Sequence, residues 1–222
     1  MGAQVGPTPV GGWGDDEQVS WYLGRIGRLE ARQAGERVLA DLLPPAPSSV
    51  LDLGCGDGRL AALALAERPG IERVVAVDRS APMLTHARDR FADDGRVDVR
   101  RWDLGEPITA LGSFDVIVSG FAIRHLEHPR KQALFGEVAA QLSPGGVFLN
   151  LEVVASATPQ RHAEFLAAIG RTADDPEDRL APVEDQLEWM RAAGLTDVDC
   201  LWRWRGFALL AGEAAGRATS WS

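Results

Sequence analysis

Val50-Leu51-Asp52-Leu53-Gly54-Cys55-Gly56-Asp57-Gly58-Arg59 reads as a buried strand that runs into a glycine-paved turn and then into a helix. Val50, Leu51 and Leu53 supply the short apolar strand. Three alternate glycines let the backbone turn tightly and approach a ligand that a side chain would displace. The residues from Arg59 to Ala66 are good helix formers, so the turn opens onto a helix N-terminus with free amide donors. The spacing is G-x-G-x-G: Arg59 stands where a pyrophosphate-binding G-x-G-x-x-G would carry its third glycine, and Asp52 precedes the first. Both departures count against a pyrophosphate ligand.

Outward from this loop the elements alternate as a parallel, doubly wound sheet requires. An apolar stripe predicts a helix over Asp15 to Leu43, stopped by Pro44-Pro45-Ala46-Pro47. Strands are expected at Val50 to Leu53, Arg73 to Val77, Val97 to Trp102, Phe114 to Gly120 and Val147 to Val154. Helices are expected at Pro82 to Phe91, with Ser80 as N-cap, and at Arg130 to Leu142, ended by Ser143-Pro144-Gly145-Gly146. The alternation then breaks. Ser156 to Pro182 holds one helical stretch, Thr158 to Ile169, and an acidic run, Thr172 to Arg179, expected to form a lid. A last helix over Val183 to Ala193, capped by Gly194, precedes a hairpin of Val198 to Trp204 and Phe207 to Ala211. The expected organisation is a flexible arm over 1–14, one domain over 15–212 with a helical cap at 15–43 and a lid insert at 156–182, and a flexible tail over 213–222. The fold class is α/β: a doubly wound, mostly parallel seven-stranded Rossmann-like sheet ending in an antiparallel hairpin.

The chain has 222 residues, 45% of them hydrophobic and 25% charged, and a net charge of −9. That acidic balance leaves no basic face to track a phosphate backbone, so no nucleic acid partner is expected. Two cysteines, Cys55 and Cys200, make no disulfide framework and share no metal-ligand spacing with histidines, which suits the reducing cytoplasm. Met1 to Gly14 lacks a signal-peptide core and no later stretch is long enough to span a membrane. Oligomeric state is not legible.

With its preceding Leu-Asp, the glycine loop resembles motif I of the class I S-adenosylmethionine (SAM)-dependent methyltransferases, and the later checkpoints of that family follow in order from Leu51 to Ala211. Asp78 ends the second strand about 20 residues beyond the glycines, where a βαβ unit places a carboxylate beside a ribose. Arg101-Trp102-Asp103-Leu104 is similar to the family's adenine-reading motif. Phe114 to Phe121 and Leu142-Ser143-Pro144-Gly145-Gly146 resemble its later signatures.

The resemblance implies SAM as cofactor and S-adenosylhomocysteine (SAH) as product. It implies that Asp52 and the loop Gly54, Cys55, Gly56, Asp57 and Gly58 hold the amino acid end of the cofactor with Gly120. Asp78, with Arg79 beside it, would take the ribose; Met83 would pack on adenine, and Asp103 and Leu104 would read its edge. Tyr22 and Arg28 lie on the first helix, which in relatives folds over the SAM carboxylate.

His125, expected at the C-terminal end of a strand, is a candidate general base, and Glu152, which interrupts an apolar strand, is a second. No metal is expected. The acceptor is expected to be a small molecule. An NAD-dependent oxidoreductase is disfavoured by the glycine spacing and the Asp103 motif. Two further readings stay open: a non-catalytic SAM-binding module, and a tRNA- or protein-directed methyltransferase.

Overall fold

A computed structural model describes residues 13–26 and 29–216. Two helices, α1 (Asp16–Ile26) and α2 (Glu30–Asp41), precede the sheet. A single helix was expected over Asp15 to Leu43; instead Leu29 takes extended backbone (φ −76°, ψ 106°) and α2 starts afresh behind it. Gly24 and Gly27 weaken the helical pattern there, since glycine costs about 1 kcal/mol in a helix interior. Of the expected arm over 1–14 only Trp13 and Gly14 are described; of the expected tail over 213–222, residues 213–216 are described and Glu213 still belongs to the last strand, and Arg28 lies outside the described residues.

The sheet has seven strands in the order β3-β2-β1-β4-β5-β7-β6. These are β1 (Ser49–Leu53), β2 (Arg73–Asp78), β3 (Val97–Arg101), β4 (Phe114–Gly120), β5 (Leu142–Val153), β6 (Thr196–Trp204) and β7 (Phe207–Glu213). The first five run parallel, and β7 turns back antiparallel to β5 with β6 on the edge, as the hairpin predicted. Between them lie α3 (Arg59–Glu67), α4 (Ala81–Arg90), α5 (His128–Gln141), α6 (Pro159–Ala168) and α7 (Val183–Ala192). Strand β5 begins five residues before the expected Val147. Leu142 already pairs with Phe114, Ser143 to Gly146 loop out of register with Gly145 at φ +76°, and pairing resumes at Val147 opposite Val116.

Both faces of the sheet are covered, which is why the central strands are almost continuously apolar. One face packs Leu134, Phe135 and Val138 of α5 and Met190 of α7 against Ile117 and Phe148. The other packs Leu39 of α2, Leu60 and Ala64 of α3 and Phe165 of α6 against Val50, Val118 and Leu149. Each of these side chains except the small Ala64 contributes roughly 1.5–3 kcal/mol by leaving water. Ser80 caps α4 as expected, its Oγ accepting from Met83 N at 3.2 Å. The strand order reverses between β1 and β4, so a crevice opens above their C-terminal ends, where open α/β sheets bind ligands.

Candidate functional site

A cavity of about 800 Å³, counted with the open space at its mouth, lies over that crevice. Its floor is the glycine loop. Gly54 sits at φ +68°, and a Cβ there would fall 2.2 Å from the Ala122 Cβ, so only glycine fits. Gly56 sits at φ +55°, and a Cβ there would find nothing nearer than the Met83 sulfur at 3.7 Å. The loop is fixed to the sheet by Cys55 N donating to Val77 O at 2.9 Å. Asp78 is held from both sides: its Oδ2 accepts from Gly56 N at 2.9 Å and its Oδ1 from Ser80 N at 2.8 Å. Burial pushes its carboxyl up while these two amides pull it down. Each oxygen keeps a lone pair for a ligand hydroxyl. At the end of β3, Asp103 Oδ1 accepts from Gly105 N at 2.8 Å.

Of the residues the sequence nominated, Gly54, Cys55, Gly56, Asp57, Asp78 and Arg79 line this cavity, together with Met83, Asp103, Leu104, Gly120, Tyr22 and His125. Burial raises the Cys55 thiol well above its usual range, so it lies there protonated. Asp57 is drawn to one side by an ion pair with Arg90.

Three nominated residues are not in the lining. Asp52 points inward, its Oδ2 accepting from Ala61 N at 3.0 Å near the start of α3 while its Oδ1 is buried without a hydrogen-bond partner, so it braces the loop from behind. Burial pushes its carboxyl up to about 7. Gly58 faces away too: a Cβ there would lie 2.4 Å from the Phe91 ring, and its absence lets α3 and α4 close together. Glu152 is fully enclosed. Its Oε2 accepts from Arg124 N and its Oε1 from Val153 N, both at 2.8 Å, with the Arg124 guanidinium 3.8 Å away. Burial lifts it to about 7. It serves to anchor the turn after β4, not to touch a substrate.

His125 lines the cavity 5.8 Å from the Trp13 ring, but its environment opposes protonation. Burial first, then the charges of Arg124, Arg79 and Lys131, hold its pKa down at about 2. A neutral imidazole is therefore the form present near pH 7, and such a group is a poor proton acceptor.

The sequence did not single out Arg32. It stands on α2, with its guanidinium in the cavity, 4.8 Å over the Phe121 ring, donating to Tyr22 Oη at 3.0 Å and to Glu36 at 2.7 Å. Trp13 and Trp102 also line the cavity, their ring N–H groups buried without a hydrogen-bond partner, and His125 Nδ1 lies 3.4 Å from Asp178 Oδ1.

A second cavity, of about 680 Å³, adjoins the first. Tyr22 and Phe121 line both. Phe121 holds a left-handed backbone (φ +58°), a strain of roughly 1–3 kcal/mol that clusters at functional sites. Its N–H donates to Leu151 O at 2.8 Å, and its carbonyl accepts from the Arg124 guanidinium. The insert closes beside this cavity and is tied down at several points. Asp178 pairs with Arg124 at 2.7 Å, Glu177 pairs with Arg79, and Arg179 with Glu127 at 2.8 Å. Lys131, buried under the turn, donates to the carbonyls of Leu126 and Arg179.

This strand order, glycine loop and strand-end acid define the class I methyltransferase architecture. Comparison with known proteins agrees: residues 50–146 match the methyltransferase domain family. It is 38% identical over 127 residues to an uncharacterised methyltransferase of Mycobacterium tuberculosis, a match covering 56% of this chain and 58% of that one. A demethylmenaquinone methyltransferase of Leptospira interrogans is 39% identical over 108 residues, 47% of this chain and 42% of its own. The chain thus spans about half the length of the curated relatives it matches. An O-methyltransferase family protein from Burkholderia thailandensis superposes with a TM-score of 0.74 at 21% identity, over 91% of this chain and 61% of that one. No helix among the described residues is long and apolar enough to cross a membrane.

Proposed function

We propose that this chain transfers a methyl group from SAM to a small-molecule acceptor held in the second cavity, releasing SAH. The observation that carries the reading is the pair of adjoining cavities over the sheet's switch point, with Tyr22 and Phe121 common to both. A SAM-binding module without catalysis has no use for the second chamber. The lining of that chamber is mainly apolar with a few polar groups, the character of small-molecule sites, which favours a metabolite over tRNA or protein.

In this reading Asp78 accepts from the ribose hydroxyls and the Gly54 and Gly56 backbone admits the amino acid end. The Arg32 guanidinium, with Tyr22, meets the carboxylate there. Asp103 and Leu104 read the adenine edge, Met83 packs on its ring, and Trp102 offers its free N–H. The bound cofactor supplies a methyl carbon already activated by a cationic sulfur. What remains for the protein is placement and dryness, and placement alone is worth about 7–11 kcal/mol. Tyr22 and Phe121 set the boundary across which the acceptor must reach. The α1 helix and the 156–182 insert act as the cap that excludes water. His125 contributes as a neutral wall, so an acidic or already ionised nucleophile suits the site. Both cysteines are free thiols, and we place the protein in the cytoplasm on that ground.

The test is incubation of the purified chain with methyl-labelled SAM and a desalted cell extract resupplied with its small metabolites. Label is expected in a small molecule that chromatography separates from SAM and from its breakdown products. Label confined to RNA or protein, or no transfer at all, contradicts the proposal.

A further inference from the structure

The second cavity is walled mainly by apolar side chains, among them Trp21, Leu29, Phe165, Ile169 and Phe207. Its charged lining groups differ in whether their charge is already answered. Arg124 and Asp178 answer each other at 2.7 Å, and Asp174 meets His162 at 2.8 Å. Arg171 is also in the lining, yet its guanidinium has no hydrogen bond or ion pair with any described residue. The backbone that carries it is nonetheless fixed. The α6 helix ends with Gly170 at φ +71°, Gly170 N donates to Ala167 O at 3.1 Å, and Arg171 N donates to Leu166 O at 2.8 Å. That is a Schellman-type closure, which sets where Arg171 leaves the helix end.

An unanswered, pre-positioned guanidinium beside an apolar chamber is a ready partner for a carboxylate, whose two oxygens match the planar fork. A doubly charged phosphate fits less well, because Asp174 and Asp178 stand in the same lining and the molecule carries a net charge of −9. We propose that the acceptor is an apolar small molecule bearing a carboxylate, and that Arg171 recognises that carboxylate. The inference rests on the assignment of the second cavity to the acceptor.

The test uses the full chain saturated with SAH and calorimetric titration of matched probes: 3-phenylpropanoate against 3-phenylpropanamide, and octanoate against octanamide. Each acid is expected to bind at least about 10-fold tighter than its amide, the scale of a hydrogen bond to a charged group. Arg171→Gln is expected to reduce that preference to within about 2-fold and Arg171→Lys to restore part of it, with SAH affinity equal in all three proteins. A merely structural arginine would shift melting temperature without changing the acid-to-amide ratio. Equal binding of acid and amide, no binding of either, or a preference that survives Arg171→Gln would overturn the inference while leaving the cofactor site standing. Failure of SAH to bind the parent protein would instead remove the proposed function on which it rests.

Discussion

The cavity proposed for the cofactor is built on strand ends, whereas the second cavity is built on helices and an insert packed over them. The ends of β1, β2 and β4 are locked in a parallel ladder, and their loops present backbone amides and one braced carboxylate, Asp78. The second cavity draws on α1, α6, β7 and the insert, held in place by buried charges centred on Arg124. The first region depends on backbone shape and the second on ionic anchors. Substitutions that alter backbone shape should therefore abolish cofactor binding outright, while loss of single side chains should act by smaller, graded amounts.

The largest effect is expected from Gly54→Val. Its Cβ would collide with Ala122 at a position already at φ +68°, so SAH affinity should fall by more than about 100-fold, read by calorimetry. Near-parental affinity would mean that the loop tolerates a side chain and that backbone shape does not govern this cavity. Next is Asp78→Ala, which should weaken SAM and SAH by about 10- to 150-fold, or roughly 1.5–3 kcal/mol. Unchanged affinity would place the ribose elsewhere.

His125→Ala sharpens the comparison at the boundary between the regions. Because its imidazole is held neutral, with a pKa of about 2, the single-turnover rate at saturating SAM should change by less than about 5-fold, and any loss should fall on SAM affinity. A rate loss of about 100-fold or more with SAM affinity intact would return a proton-transfer role to it.

The smallest effect concerns pH. Burial raises the Asp52 carboxyl from 3.8 to about 7, so the folded chain holds this proton longer than the unfolded chain does. Its contribution to stability is complete below the unfolded value and is lost as pH rises through about 7. Asp52→Asn removes that titration, keeps an acceptor for Ala61 N and gives the orphaned second position a donor group. Its melting temperature relative to the parent should therefore climb by a few degrees between pH 5 and pH 8, on a scale of about 2–4 °C per kcal/mol. Glu152, lifted from 4.5 to about 7, adds a slope of the same sign that the variant retains. A constant difference would show that Asp52 is not destabilising when ionised.

Most of the lining of the first cavity was legible because its parts are local. A glycine spacing, an acid at a strand end and an Asp-Leu after β3 each occupy a few consecutive residues whose placement follows from the βαβ unit. The faces were harder to assign. Asp52 and Glu152 interrupt apolar strands, and a strand pattern alone does not distinguish a carboxylate aimed at a ligand from one answered by a buried partner. For Glu152 the partner, Arg124, is 28 residues away in sequence.

Arg32 was missed because one helix was expected where two exist: a fresh start at α2 resets which residues face the cavity. Arg171 carries no local signal beyond Gly170, since its surroundings come from α1, α6 and β7 together. The wall of the second cavity is therefore a tertiary product, and only folding reveals which of its charges remain unanswered.

The most direct test of the two-cavity account is a crystal structure of the chain bound to SAH. The account predicts the ribose hydroxyls within hydrogen-bond distance of Asp78, the carboxylate at Arg32 and Tyr22, and the sulfur facing Phe121 with no part of the ligand among Trp21, Phe165 and Phe207. SAH lying across the second cavity, or a ribose held by groups other than Asp78, would contradict it.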